Sequence, residues 1–212
     1  MKSILPLFIF FLFFIACKQE KSTPVSSQEM TEKNISPTDS EHSDVFEKTI
    51  FTTSTGKSIE LITIQKNSSL NDFAVVTMDF PNSRDSLVIK DSDPFQEAVL
   101  KDLDGNGYDE LYIVTKSVGS GSYASIFGFA SNQDLSLTSI YIPEISENDI
   151  QKGKPFYGYM GHDSIYFNGN QLYRKFPMYK EDDANCCPTG GDKILSYQLK
   201  AGEASWKLEL KN

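Results

Sequence analysis

Histidine and cysteine are scarce in this 212-residue chain, with two of the first and three of the second. His42 falls in a polar stretch, which leaves His162 as the one histidine in the part of the chain composed like a folded domain. Covalent catalysis needs a nucleophile within reach of a base, and no such pair or catalytic metal cluster is indicated. A Gly-x-Ser-x-Gly elbow is also missing, since residues 118–122 carry their glycines at other places. The neighbours His162 and Asp163 are expected to orient a loop, and no enzyme is expected. Positive charge is short as well: 20 Lys and Arg against 29 Asp and Glu give a net charge of −9. That balance argues against nucleic acid or an anionic membrane surface and suits a cationic protein partner, though it also describes any well-solvated domain. Internal repeats are lacking, which disfavours a propeller. No apolar run reaches the ~20 residues that a membrane-spanning helix needs.

The apolar run that is present, residues 4–16, covers about a dozen positions behind a single positive charge at Lys2. Such an n-region, h-region and small residue before a cut read as an export signal. The string Phe14-Ile15-Ala16-Cys17 resembles the lipobox of bacterial lipoproteins, with Phe14 where leucine is preferred. The resemblance implies cleavage before Cys17 and lipidation of its thiol; the alternative is an ordinary secretory signal followed by a chance cysteine. Two or more acyl chains, palmitate among them, give stable anchoring where one is marginal. Lys18, in place of the aspartate linked with inner-membrane retention, points to the outer membrane, facing the periplasm or the cell surface. Residues 17–44 are rich in Ser, Thr, Glu, Asp and Pro, bury too little to fold, and read as a flexible tether. Residues 45–212 then form one domain.

That domain reads as short strands divided by turn residues. Candidates are 46–53, 58–66, 73–80, 86–90, 96–100, 110–116, 123–130, 136–142, 164–167, 171–175, 194–200 and 205–210. In Ser205-Trp206-Lys207-Leu208-Glu209-Leu210 apolar and polar residues alternate, the period of a strand with one wet face. Only 144–154 has a weakly helical pattern. The expectation is an all-β fold: an antiparallel β-sandwich, or a partly closed barrel, of hairpin-connected strands.

Two loops stand out. Asp102-Leu103-Asp104-Gly105-Asn106-Gly107-Tyr108-Asp109-Glu110 sets oxygen side chains at Asp102, Asp104, Asn106 and Glu110, with Tyr108 placed to offer a backbone carbonyl. This spacing suits one hard, oxygen-ligated cation such as Ca²⁺. It resembles the short calcium loops of integrin-type repeats and dockerin-like motifs, but lacks the distal bidentate glutamate of an EF-hand, Ile113 standing there. A metal-free Asx-rich turn is the alternative; a bound ion would be a structural clip. Seven strand residues at ~3.3 Å each put this loop roughly 20 Å from the second, Ser117-Val118-Gly119-Ser120-Gly121-Ser122-Tyr123.

Ser120-Gly121-Ser122-Tyr123 resembles the Ser-Gly-x-Tyr motif of the periplasmic inhibitors of invertebrate-type lysozyme, the PliI family. The runs Gly158-Tyr159-Met160-Gly161-His162-Asp163, Phe176-Pro177-Met178-Tyr179-Lys180, Asp183-Ala184-Asn185 and Pro188-Thr189-Gly190-Gly191 are similar to family text, as is the last hairpin. The resemblance covers about residues 98–210. It implies a β-sandwich that inserts this loop into a lysozyme cleft, where Ser120 and Tyr123, shaped by Gly121, would hydrogen-bond the catalytic carboxylates. Without the resemblance, the segment is a glycine-rich hairpin turn.

Cys186 and Cys187 are adjacent, and an exported protein seldom keeps thiols free. They are candidates for a vicinal disulfide, for burial, or for pairing between chains in a homodimer; the family pattern does not require them. The expected function is a lipid-anchored inhibitor of an invertebrate-type lysozyme or related muramidase. Its rivals are a calcium-stabilised envelope module that binds glycan or protein, and a structural lipoprotein of the envelope.

Overall fold

The computed structural model describes residues 45–82 and 86–211. The export signal, Cys17, the tether and His42 lie outside the described residues. Twelve strands make up the described part: β1 Val45–Thr52, β2 Ser58–Gln65, β3 Asn71–Thr77, β4 Leu87–Ser92, β5 Phe95–Lys101, β6 Glu110–Lys116, β7 Ala124–Ser131, β8 Leu137–Ser139, β9 Ser164–Asn168, β10 Gln171–Pro177, β11 Asp192–Ala201 and β12 Trp206–Leu210. Every strand candidate finds its counterpart, and no helix occurs among the described residues. The weak helical pattern of 144–154 forms turns instead. There the Asp149 carboxylate accepts the backbone N–H and the hydroxyl of Ser146 at 2.9 and 2.6 Å, a local bond that competes with helical pairing.

The strands form three antiparallel sheets of four, in the orders β1-β2-β3-β4, β5-β6-β7-β8 and β12-β11-β10-β9; none closes into a barrel. The fold is all-β and sandwich-like, with a third layer beyond the two expected. The middle sheet explains that layer. β6 is buried along nearly its whole length, so both faces of its pleat are covered. Leu111 and Ile113 pack with Ile59, Leu61, Phe73 and Val75 of the first sheet. Their neighbours Tyr112 and Val114 point the other way and pack with Ile165, Leu172, Leu199 and Leu208 of the third. An uninterrupted apolar run is what a strand buried on both faces requires. Outer strands alternate instead, as in β2, where Ile59, Leu61 and Thr63 face inward. Burying side chains such as Phe73 or Leu111 stabilises by about 1.5–3 kcal/mol each.

β8 is shorter than its 136–142 candidate. It pairs with β7 only from Phe129↔Ser139 to Ser131↔Leu137. The chain then leaves for the third sheet: Tyr141 donates its N–H to Trp206 and accepts from Leu208. The first half of β7 is thereby left without a strand on its outer side.

Candidate functional site: the two ends of β6

β6 carries one unusual loop at each end. The acidic turn joins β5 to β6. Asp102 accepts the backbone N–H groups of Asn106 and Gly107, both at 3.0 Å. Asp104 accepts the backbone and side-chain N–H groups of Asn106 at 3.0 Å and the Trp206 indole N–H at 3.2 Å. The Asn106 side-chain oxygen accepts the Tyr108 N–H at 2.7 Å. Gly105 and Gly107 take positive φ angles of 75° and 87°, which allow the turn to wind this tightly.

Glu110 closes the turn from below. It is 1% exposed and accepts the Leu103 N–H at 2.8 Å. Burial pushes its carboxyl up to about 8; the Leu103 bond opposes that rise, and the charges of Asp104 and Asp102 add to it. Carboxylate oxygens of Asp102, Asp104 and Glu110 lie within 4.8 Å of one another. Three acids so close repel, and a divalent cation with a preference for oxygen would relieve the repulsion. The donor chemistry therefore fits a hard ion. Of the five residues singled out from the sequence, these three come together; Asn106 is tied in through Asp104, and Tyr108 joins by its N–H.

The turn at the other end, residues 117–123, is built differently. Its base is a closed pair: Ser117 donates its N–H to the Tyr123 carbonyl, and the Ser117 hydroxyl accepts the Tyr123 N–H, both at 2.9 Å. Inside the loop Ser122 donates to Gly119 at 2.9 Å and adopts a φ of 44°. The Gly121 carbonyl accepts the His162 N–H at 2.6 Å. Gly161 lies so close that a Cβ on it would meet that same carbonyl, and its φ of 88° also favours glycine.

Just past the turn, Ala124 is gripped at both of its polar backbone atoms. Its N–H donates to Asp163 at 2.8 Å, and its carbonyl accepts from Arg174 at 3.3 Å. Asp163 is fully buried, and its carboxylate lies 3.4 Å from the Arg174 Nε. This buried ion pair stands where a neighbouring strand would otherwise pair with β7. Above it, the Tyr123 ring meets Tyr159 edge to face at 5.9 Å, and Tyr159 meets Phe176 at 5.1 Å. Ser120 stays exposed and the Tyr123 ring is 47% exposed. A phenol and a hydroxyl are thus presented on a turn whose backbone is fixed from beneath.

Asp163 and Arg174 were not singled out as a pair from the sequence. A signal exists in β10, where Leu172-Arg174-Phe176 puts an arginine on the buried face of an alternating strand. A charge there needs a buried partner. His162 is exposed and acts through its backbone, in keeping with a loop-orienting role. Cys186 and Cys187 sit on the exposed β10–β11 loop, joined as a vicinal disulfide. Asp183 organises that loop by accepting the N–H groups of Lys180 and Thr189 and the Thr189 hydroxyl at 2.7–2.8 Å. No family model, curated protein or solved structure matches the chain.

Proposed function

We propose that this protein is a non-catalytic inhibitor of lysozyme, anchored in the cell envelope through Cys17, that inserts the 117–123 turn into the enzyme's active cleft. The observation that carries this reading is the turn itself. It exposes Ser120 and Tyr123 while its base is fixed by Ser117, Gly161, His162 and the Asp163–Arg174 pair. A pre-organised loop loses little entropy on binding. Hydroxyl donors on such a loop suit a cleft whose catalytic groups are carboxylates. The resemblance to inhibitors of invertebrate-type lysozyme supports the same reading, because two of the segments that carry it lie beneath this turn: Tyr159, Gly161 and Asp163 from one touch it, and Phe176 and Tyr179 from the other pack on Tyr159 and His162. A net charge of −9 would speed encounter with a cationic enzyme. Attachment to the outer membrane would hold the domain beside the wall it protects.

The test is inhibition of invertebrate-type, chicken-type and goose-type lysozymes by the purified protein. Inhibition of one class, relieved by Ser120→Ala with Tyr123→Ala, is the expected result; failure to inhibit any class at micromolar concentration overturns the reading. A second reading has its own observation, the cluster of Asp102, Asp104 and Glu110. On that reading the chain is a calcium-stabilised envelope module for a glycan or protein ligand. A melting temperature indifferent to both calcium and chelator would count against it.

A further inference from the structure

The shortness of β8 leaves a gap beside β7. The Tyr123 carbonyl bonds to Ser117 on the β6 side, so odd-numbered residues of β7 direct their backbone groups toward β6 and even-numbered ones away from it. Of the outward groups, those of Ala124 are taken by Asp163 and Arg174, and the Gly128 carbonyl accepts from Ile140. Between them, the N–H and C=O of Ile126 and the N–H of Gly128 have no partner among the described residues. A groove of about 820 Å³ opens along this edge. Its lining includes Leu87, Val88 and Ile89 of β4 and Ile142, Ile145 and Ile150 of the turn-rich segment after β8. Glu144 and Glu147 stand exposed on its rim.

We propose that this groove binds an extended polypeptide segment of a partner protein, which adds a strand to β7 opposite Ile126. Three observations select that occupant. An unpaired N–H and C=O on one strand residue match the backbone of a second strand, residue for residue. Leu87 and Ile89 pack into the core on one face of β7 and Ile142 into the core on the other, as alternate side chains of an added strand require. The two rim glutamates favour a lysine or arginine flanking the apolar residues. The inference is independent of the lysozyme reading, and its probe contains no lysozyme, so either can fail without the other.

The experiment uses the ¹⁵N-labelled full chain and acetyl-Lys-Val-Thr-Val-Thr-Val-amide. It adds two versions of that peptide N-methylated on alternate residues, with palmitate as a separate ligand. In the free protein the Ile126 amide is expected to exchange with solvent much faster than that of Ile113 in the paired interior. The unmodified peptide should shift the Ile126 and Gly128 amides and slow their exchange about tenfold or more. One N-methylated peptide should bind about tenfold more weakly than the other, because only one strand edge faces β7. Glu144→Gln with Glu147→Gln should weaken binding severalfold. The proposal is overturned if Ile126 is already as protected as Ile113, or if no shift occurs by about 1 mM peptide. It is equally overturned if both N-methylated peptides bind alike, or if palmitate shifts these amides and the peptide does not.

Discussion

The two ends of β6 solve the same problem, a tight turn rich in polar backbone groups, by opposite means. At the acidic end, nearly every bond is made within residues 102–110; from afar the Trp206 indole donates to Asp104 and the Ser54 N–H donates to Asp109. At the other end, the supports come from positions about forty and fifty residues away, Asp163 and Arg174. The local turn spends its oxygens on itself and on any cation it holds. The remote support lets the second turn keep its side chains free, so that Ser120 and Tyr123 face solvent. A loop held from below by other strands can present a binding surface, whereas one held by its own side chains has little left to present.

The sharpest way to break this contrast is to remove the remote support. Asp163→Ala strands the buried Arg174 guanidinium without its counter-charge, a loss of about 3–5 kcal/mol. A substantial fall in melting temperature is expected, and the double change with Arg174→Met should cost less than Asp163→Ala alone. If the single change is silent, the pair does not hold the turn.

The acidic end should respond to pH. In metal-free protein the Glu110 carboxyl is pushed up to about 8 from its ordinary 4.5, so the folded state binds the proton more tightly than the unfolded chain. Stability is therefore highest below about pH 4.5 as far as this group is concerned, and falls as pH rises through 8. The full effect is on the order of 3 kcal/mol or more. Chemical denaturation in chelator across that range should show the decline, and Glu110→Gln should remove most of it. Calcium should flatten the curve if the turn binds it.

Tyr123→Ala with Ser120→Ala is expected to weaken lysozyme inhibition by about 2 kcal/mol, roughly thirtyfold, while leaving the melting temperature nearly unchanged. Both groups are exposed, and what the Tyr123 ring covers is limited to Tyr159 and the backbone at Gly121 and Gly161. Inhibition assays alongside thermal melts would separate loss of contact from loss of fold.

The smallest effect belongs to the disulfide. Bonding neighbours in sequence closes almost no chain, so it removes little freedom from the unfolded state. Reduction should change stability by less than about 1 kcal/mol, measurable as a nearly superimposable melt with and without reductant.

Much of the fold could be read from residue patterns because strand periodicity is local. The alternation in β2, β10 and β12 reports which residues face inward whatever lies opposite. The acidic turn was legible for the same reason: Asp102, Asp104 and Glu110 converge through a nine-residue loop whose glycines fix its path. β8 was read too long because its end is set by Tyr141 pairing with β12, a competitor distant in sequence. The 144–154 segment misled because a side-chain bond at Asp149 outcompetes a weak helical pattern.

By itself, then, the sequence determined the strands, their turns and the acidic loop, since each depends on interactions among neighbours along the chain. Only the tertiary structure decided that β6 lies between two sheets, that the 117–123 turn rests on a buried ion pair, and that β7 keeps an unpaired edge at Ile126 and the Gly128 N–H. Those outcomes turn on which distant surfaces bury one another, and burial of apolar area has no direction that a single strand can encode.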